Sequence, residues 1–534
     1  MLLIAGAMLP LLLLSLIFFR QQTSGRAQEA AAPELESAAR SDANTSATTA
    51  APVVLSNAPA DAELRRKIDE AIESSGQTSA RWGVFAMSLK DGRVLCARDA
   101  DKPFVPASNM KAYTTAVALD LLGADYRWRT SVYAASEADG SGTIQGDLTL
   151  YGRGAPDLTL SVKGSKSSLS QLADELYRRG VRRVRGNIVG DESYFRGEPL
   201  GDGWLWNDVQ WYFGAEVSAL SIGGNEVSLT LSPAGKTGEA ASLALEPETD
   251  FVRVVNEAKT AERGQPATIG INRGLSDNTF RVWGEFPLSG NGFRARLAVH
   301  QPALWAAKMF LEELRERGIA VEGEAMTKDA RVAKESDRFN PQAAIELAYL
   351  SSKPLEEIAR LTNKESLNLE AELILRSLGK EKGATAPASD ARKMLTRGDD
   401  EAGLAVIRQW LEQRGISTSS FALHDGSGLS RLDFVTPEAT ARLFAAMTKS
   451  PAAKFFHDSL PIAGRDGTLR SRLRADGGRI YAKTGTLTYI NSLSGYAVTG
   501  AGETIVFSII CNNETTPSSS VPVIDRIASL LANH

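Results

Sequence analysis

Pro106-Ala107-Ser108-Asn109-Met110-Lys111 opens a run of mostly apolar residues that ends near Gly123, about three helical turns in all. A strand-like pair precedes it. Proline ahead of the run and serine near its start suit the opening of a helix. Residues i and i+3 share a helical face, so Lys111 reaches back one turn toward the hydroxyl of Ser108. The first-turn N–H groups place partial positive charge beside that serine. A serine nucleophile with a lysine base is one reading of the pair. A helix cap followed by a solvated lysine is the other, and Ser-x-x-Lys alone does not separate them.

The flanks of this helix set the fold. Upstream, Leu64, Ile68 and Ile72 recur every fourth residue, a helical pattern. Trp82 to Leu89 and Arg93 to Ala97 read as strands around an Asp91-Gly92 turn. At the other end of the chain, Arg479 to Lys483, Leu493 to Val498 and Thr504 to Cys511 read as strands, and Val523 to Leu531 as a helix. One helix and two strands before Ser108, with three strands and one helix at the end, predict a single five-stranded antiparallel sheet built from both chain ends. Helices flank it on both faces, in the α/β class. Residues from about 125 to 345 are then an insertion, rich in short strands such as Arg129 to Ala134, Glu226 to Leu231 and Phe293 to Val299. Residues 302–317 read as a helix. Ala343 to Leu350 and Pro354 to Leu361 are taken to begin a second helical region, continued by Leu367 to Leu378 and Leu404 to Gln413. The run Val181-Arg182-Arg183-Val184-Arg185 reads as a solvated strand edge.

The whole chain bounds the rest. Its 534 residues imply about two to four domains. Hydrophobic content of 43% with 23% charged residues is that of a globular protein, and a net charge of -4 argues against a nucleic-acid partner. Residues 1–20 are almost wholly apolar until Arg20 and read as an export signal or membrane anchor. Residues 21–60, rich in Ala, Ser, Thr, Glu and Pro, read as a disordered linker. The two cysteines, Cys96 and Cys511, exclude a disulfide scaffold and are expected as isolated buried thiols. The four dispersed histidines make no metal cluster.

Two further segments carry candidate chemistry. In Asn363-Lys364-Glu365-Ser366-Leu367-Asn368, Ser366 and Asn368 converge only if the chain turns irregularly, because residues two apart diverge on a helix. Read alone, the segment is also a good helix N-cap. In Tyr481-Ala482-Lys483-Thr484-Gly485-Thr486, a strand meets a glycine whose missing side chain would let a ligand lie along the backbone. Lys483 adds a charge that could hold a carboxylate; an edge-strand lysine before a hairpin is the plainer account. His424-Asp425-Gly426-Ser427 contains triad residue types, but they stand too close in sequence for a spatial triad and read as a Gly-rich turn.

Taken together, Ser108-Asn109-Met110-Lys111, Ser366-Leu367-Asn368 and Lys483-Thr484-Gly485 resemble the three motifs of the penicillin-recognising serine enzymes, in the same order. The long gap between the first two resembles the insertion of the class C low-molecular-mass penicillin-binding proteins, the D-alanyl-D-alanine carboxypeptidase/endopeptidase family. Tyr212 to Asn225, His424 to Ser430, Leu460 to Gly464 and Asp466 to Leu469 also look like family stretches. Ala155-Pro156-Asp157 departs from the Gly-Asp-Pro common in relatives. The resemblance implies a β-lactamase/transpeptidase-like domain at 61–125 and 346–534, a second domain at 126–157 and 315–345, and a third at 158–314.

It also implies acyl transfer at a D-Ala-D-Ala bond of cell-wall peptides outside the cytoplasm. Ser108 would be the nucleophile and Lys111 its base, with a proton affinity lowered by burial or by Lys483. Ser366 would pass a proton to the leaving amine, and Asn368 would orient Lys111. Lys483, Thr484, Gly485 and Thr486 would receive the terminal carboxylate. The N–H groups of Ser108 and Thr486 would hold the oxyanion. No metal or organic cofactor is required. β-Lactams would acylate Ser108. A β-lactamase or esterase on the same scaffold, and a non-enzymatic wall-binding module, are the alternatives. The size of the insertion counts against the first, and the presence of Ser108, Lys111 and Lys483 against the second.

Overall fold

A computed structural model describes residues 53–77, 79–160, 166–328, 338–383, 398–515 and 519–534. The expected signal or anchor at 1–20 and most of the 21–60 linker lie outside the described residues. Part of the expected linker is among the described residues and is structured: Ser56 N donates to Val94 O, and a helix runs Pro59–Glu73.

Both chain ends build one five-stranded antiparallel sheet. Its order is Ile480–Leu487, Ile490–Val498, Thr504–Asn512, Arg81–Ser88, Val94–Arg98. Val84 stands opposite Ile509, and Lys483 opposite Ser494. Alternation along the strands gives two apolar faces. Trp82, Val84, Phe507 and Ile509 share a core with the terminal helices, through Ile68 of Pro59–Glu73 and Ile527 of Val521–Ala532. Phe85, Val506 and Ile510 face the other way, into the core that includes Met110–Leu122 and Pro437–Met447. Cys96 and Cys511 are free and buried, on strands separated by Arg81–Ser88.

The insertion begins with a second five-stranded sheet, ordered Ala325–Lys328, Ile188–Asp191, Leu148–Tyr151, Arg129–Ala134, Ile345–Ser351. Two expectations change here. Ile345–Ser351 is a strand and not the start of a helical region: it pairs antiparallel with Arg129–Ala134, and Arg129 Nε donates to Glu346 Oε1 at 3.0 Å. The expected division at 158 and 314 also cuts through this sheet. Ile188–Asp191 belongs to it, and Pro302–Glu316 packs on Ile188–Asp191 and Ala325–Lys328. Within the insertion a separate three-stranded sheet centres on Glu226–Ser232, flanked by Ser242–Glu246 and Phe293–Ala298.

Candidate active site

The turn that carries Ser108 is fastened to the sheet on several sides. Asn512 Oδ1 accepts from Val105 N at 2.9 Å, and its Nδ2 donates to Val105 O at 3.1 Å. Ser492 Oγ donates to Pro106 O at 2.7 Å, and Asn109 Nδ2 to Ser494 Oγ at 2.8 Å. Ala107 is thereby held at φ 48°, a left-handed conformation that an L-residue adopts at a cost of about 1–3 kcal/mol. Ala107–Asn109 form one 3-10 turn, and the α-helix proper starts at Met110. Ser108 therefore sits just ahead of the helix, partly exposed, with Lys111 fully buried beneath it.

Lys111 Nζ donates to Ser108 Oγ at 2.9 Å, to Asn368 Oδ1 at 2.6 Å and to Ser427 O at 2.7 Å. These three acceptors match the three protons of an ammonium. Ser366 and Asn368 lie at the junction of helices Leu355–Lys364 and Asn368–Lys382, where Ser366 takes φ 59°. That left-handed residue is the irregular turn the Ser-x-Asn spacing needs. Asn368 Nδ2 donates to Phe213 O at 2.8 Å, which ties the amide to the inserted portion of the chain. Across the cleft, buried Lys483 Nζ donates to Ser366 Oγ at 3.0 Å and to Thr484 O at 2.9 Å. Ser108 with Lys111 and Ser366 with Lys483 thus form two lysine–serine pairs, one on each side, and Asn368 bonds to the first lysine.

Thr484, Gly485 and Thr486 follow on the edge strand. Thr484 Oγ1 donates to Thr468 Oγ1 at 2.7 Å, and exposed Thr486 donates through Oγ1 to Asn491 Oδ1 at 3.0 Å. A Cβ on Gly485 would lie 2.8 Å from Pro106 O and 3.0 Å from Ser108 N. The glycine is required by this chain's own nucleophile turn, in addition to any ligand. The same approach sets the Ser108 backbone beside the strand that carries Thr486.

The electrostatics depart from expectation in one respect. Burial pulls Lys111 down to about 8, while Asp425, Glu372 and Glu370 hold it up. Lys483 is not what depresses it. Lys483 is itself pushed well below the ordinary lysine range, by burial first and then by the charge of Lys111. Lys111 has buried carboxylates behind it and Lys483 has none among its charge partners, so nothing offsets the effect of burial on Lys483.

The stretches around 424–430 and 460–469 have direct structural roles that their residue types did not disclose. Ser427 is buried with its Oγ donating to Asp425 Oδ2 at 3.2 Å, and His424 Nδ1 faces Asp202 Oδ2 at 2.8 Å. No triad forms there. The loop's contribution is the Ser427 carbonyl. Lys364 Nζ bonds Asp466 Oδ2 at 2.6 Å, so the 460–469 segment braces the Ser366 turn while Thr468 touches Thr484. Backbone carbonyls such as those of Phe213 and Ser427 carry no signal in residue type. Asp157, in the departing loop, accepts from Lys353 N at 2.8 Å, away from these contacts.

The D-Ala-D-Ala carboxypeptidase 3 (S13) family model matches residues 64–534. The chain is 35% identical over 487 residues to a D-alanyl-D-alanine carboxypeptidase of Actinomadura sp. (strain R39), covering 88% of this chain and 85% of that one. It is 25% identical over 443 residues to the D-alanyl-D-alanine carboxypeptidase DacB of Haemophilus influenzae, covering 81% and 86%. Among solved structures, penicillin binding protein 4 (dacB) of Haemophilus influenzae superposes with a TM-score of 0.73 at 22% identity, over 88% of this chain and 99% of that one. The fold is that of this structure.

Proposed function

The chain belongs to the D-Ala-D-Ala carboxypeptidase 3 (S13) family and is a serine-type D-Ala-D-Ala carboxypeptidase; on that premise we propose that Ser108 is the nucleophile, Lys111 its base, and Ser366 the donor to the leaving group. The observation that carries this reading is the three-way contact of Lys111 Nζ with Ser108, Asn368 and Ser427.

Neutral Lys111 takes the Ser108 proton as Oγ attacks the carbonyl carbon of the penultimate D-Ala. The N–H groups of Ser108 and Thr486 hold the oxyanion; a donor of this kind is worth about 3 kcal/mol. Lys483 already donates to Ser366 Oγ, which leaves the Ser366 hydroxyl proton for the departing amine nitrogen. The C–N bond breaks, D-Ala leaves and an ester remains on Ser108. The proton held by Lys111 restores the Ser366 hydroxyl, which leaves Lys111 neutral again; water, deprotonated by Lys111, then attacks the ester, and that proton passes to Ser108 Oγ as the C–O bond breaks. Thr486, exposed on the edge strand, and Thr484 receive the terminal carboxylate, whose own charge favours the proton on neighbouring Lys483. The substrates are peptidoglycan peptides ending in D-Ala-D-Ala. β-Lactams acylate the same serine, an assignment supported by a relative solved in complex with a β-lactam. The apolar segment at 1–20 supports export to the cell envelope, where such peptides lie.

Incubation with a labelled penicillin and with a D-Ala-D-Ala-ended muropeptide tests the reading. A covalent adduct on Ser108 and release of free D-Ala are expected. Labelling of Ser108→Ala at the wild-type level would sink it.

A further inference from the structure

Behind the base lies a buried acidic residue that is hydrogen-bonded to the loop at 426–427. Glu372 stands one helical turn beyond Asn368 on Asn368–Lys382 and is 1% exposed. Its Oε1 accepts from Gly426 N at 2.9 Å and from Ser427 N at 2.8 Å. The carbonyl of Ser427 is the one that accepts from Lys111 Nζ. The loop packs closely against the turn that carries Ser108. Gly428 takes φ 78°, and a Cβ there would stand 1.9 Å from Ala107 O. Asp425, also buried, accepts from Gly428 N at 2.6 Å, Ser430 N at 2.7 Å and Trp204 Nε1 at 2.9 Å. The buried Glu372 carboxylate is compensated by the two loop N–H groups and by Arg376 Nη1 at 3.3 Å.

We propose that Glu372 is a positioning residue for the base: it holds the Gly426–Ser427 backbone so that the Ser427 carbonyl is aimed at Lys111, and its negative charge favours the proton on Lys111. The inference rests on Lys111 being the base. The charged groups around Lys111 are Glu370, Glu372 and Arg376 on Asn368–Lys382, Asp425 with its neighbour Asp433 on the loop side, and Lys483 on the edge strand. Among them Glu372 is the one whose carboxylate accepts from the N–H of Ser427, the residue whose carbonyl meets Lys111. Burial and the charge of Asp425 raise its own carboxyl above the ordinary carboxylate range.

The test compares full-length wild type with Glu372→Gln, Glu372→Ala and Lys111→Met, following acylation of Ser108 by a fluorescent penicillin from pH 5 to 10, with thermal unfolding as a check on folding. Gln keeps an oxygen that accepts both loop N–H groups but removes the charge. Its acidic limb should therefore move down by about one pH unit with the plateau rate kept within about threefold. Ala removes the clamp as well, and its plateau should fall at least about tenfold. An acidic limb in Glu372→Gln that coincides with wild type overturns the inference. So does a wild-type plateau in Glu372→Ala. If Glu372→Ala does not fold, the limb of Glu372→Gln decides alone. Persistence of wild-type labelling in Lys111→Met would show that the parent reading fails and would take this inference with it. Loss of labelling in Lys111→Met beside an unmoved Glu372→Gln limb would overturn this inference alone.

Discussion

Lys111 Nζ lies 2.6 Å from Asn368 Oδ1, closer than its 2.9 Å to Ser108 Oγ, and the same amide gives its Nδ2 proton to Phe213 O. The amide cannot turn over without losing both bonds, so the inserted portion of the chain fixes which atom of Asn368 the base meets. Asn368→Asp tests this. A carboxylate cannot donate to Phe213, and it adds a negative charge against Lys111. Acylation at neutral pH should fall by about 10²-fold, with the acidic limb displaced upward. Asn368→Ala should also lose rate, without the upward displacement. Stopped-flow acylation by a penicillin over a pH series separates the two, and identical limbs in both variants would contradict the account.

Burial holds Lys111 at about 8, and the role of base proposed for it requires the neutral form. Acylation of Ser108 should therefore rise with pH, reach half its plateau near pH 8, and fall about tenfold per pH unit below that. The sign for stability follows from the same shift. The folded value lies below the ordinary 10.5, so between those two values the unfolded chain binds more protons than the folded one. This lysine's contribution to stability then improves as pH rises from about 8 toward 10.5, and the depressed Lys483 acts in the same direction. Urea midpoints of wild type and Lys111→Met at pH 7.5 and 9.5 report it. The wild type should gain on the variant at the higher pH, and a gap that stays constant would refute the assignment.

Why some of this was readable in sequence and some was not comes down to where the information resides. The central sheet was legible because Trp82 to Leu89 and Thr504 to Cys511 are apolar strand-like runs bounded by turns, and they pair as Trp82 with Cys511 and Val84 with Ile509. Ile345–Ser351 was not, because Ala343-Ala344-Ile345-Glu346-Leu347-Ala348 consists largely of good helix formers. Pairing with Arg129–Ala134 overrides that local preference. The five catalytic candidates were legible as side chains at fixed spacings. The carbonyls of Phe213 and Ser427 were not, since every residue has one. Glu372 left a faint trace, a charge inside the apolar run Leu369 to Leu378 and four residues from Asn368. Which of Lys111 and Lys483 has carboxylates behind it is determined only by the folded chain.

Cys96 and Cys511 are buried on opposite sides of the strand Arg81–Ser88, and burial pushes each thiol up to about 12. A thiol in this state is a poor nucleophile. Native protein should react with neither equivalent of a thiol-disulfide reagent at pH 8 over minutes, whereas protein unfolded in guanidinium should release two equivalents per chain. Unfolded protein that releases none without reductant would mean that the two are paired.

Gly485 offers the sharpest structural test of the site. Its position on the edge strand leaves 2.3 Å from a built Cβ to Ser492 Oγ, 2.8 Å to Pro106 O and 3.0 Å to Ser108 N. Ser492 also anchors the nucleophile turn through its bond to Pro106 O. A methyl group therefore pushes on the anchor and on the backbone of the nucleophile together. Gly485→Ala should destabilise the fold by about 1–3 kcal/mol, the usual range for overpacking. It should also slow both acylation and D-Ala release by about 10²-fold, because an ångström of misplacement at the reacting atoms costs roughly that much. Lys111 keeps its buried surroundings, so the acidic limb should stay where it lies in wild type. A variant that acylates at the wild-type rate would show that the strand and the Ser108 turn are not packed as described. A limb that moves would show that the damage reaches the base.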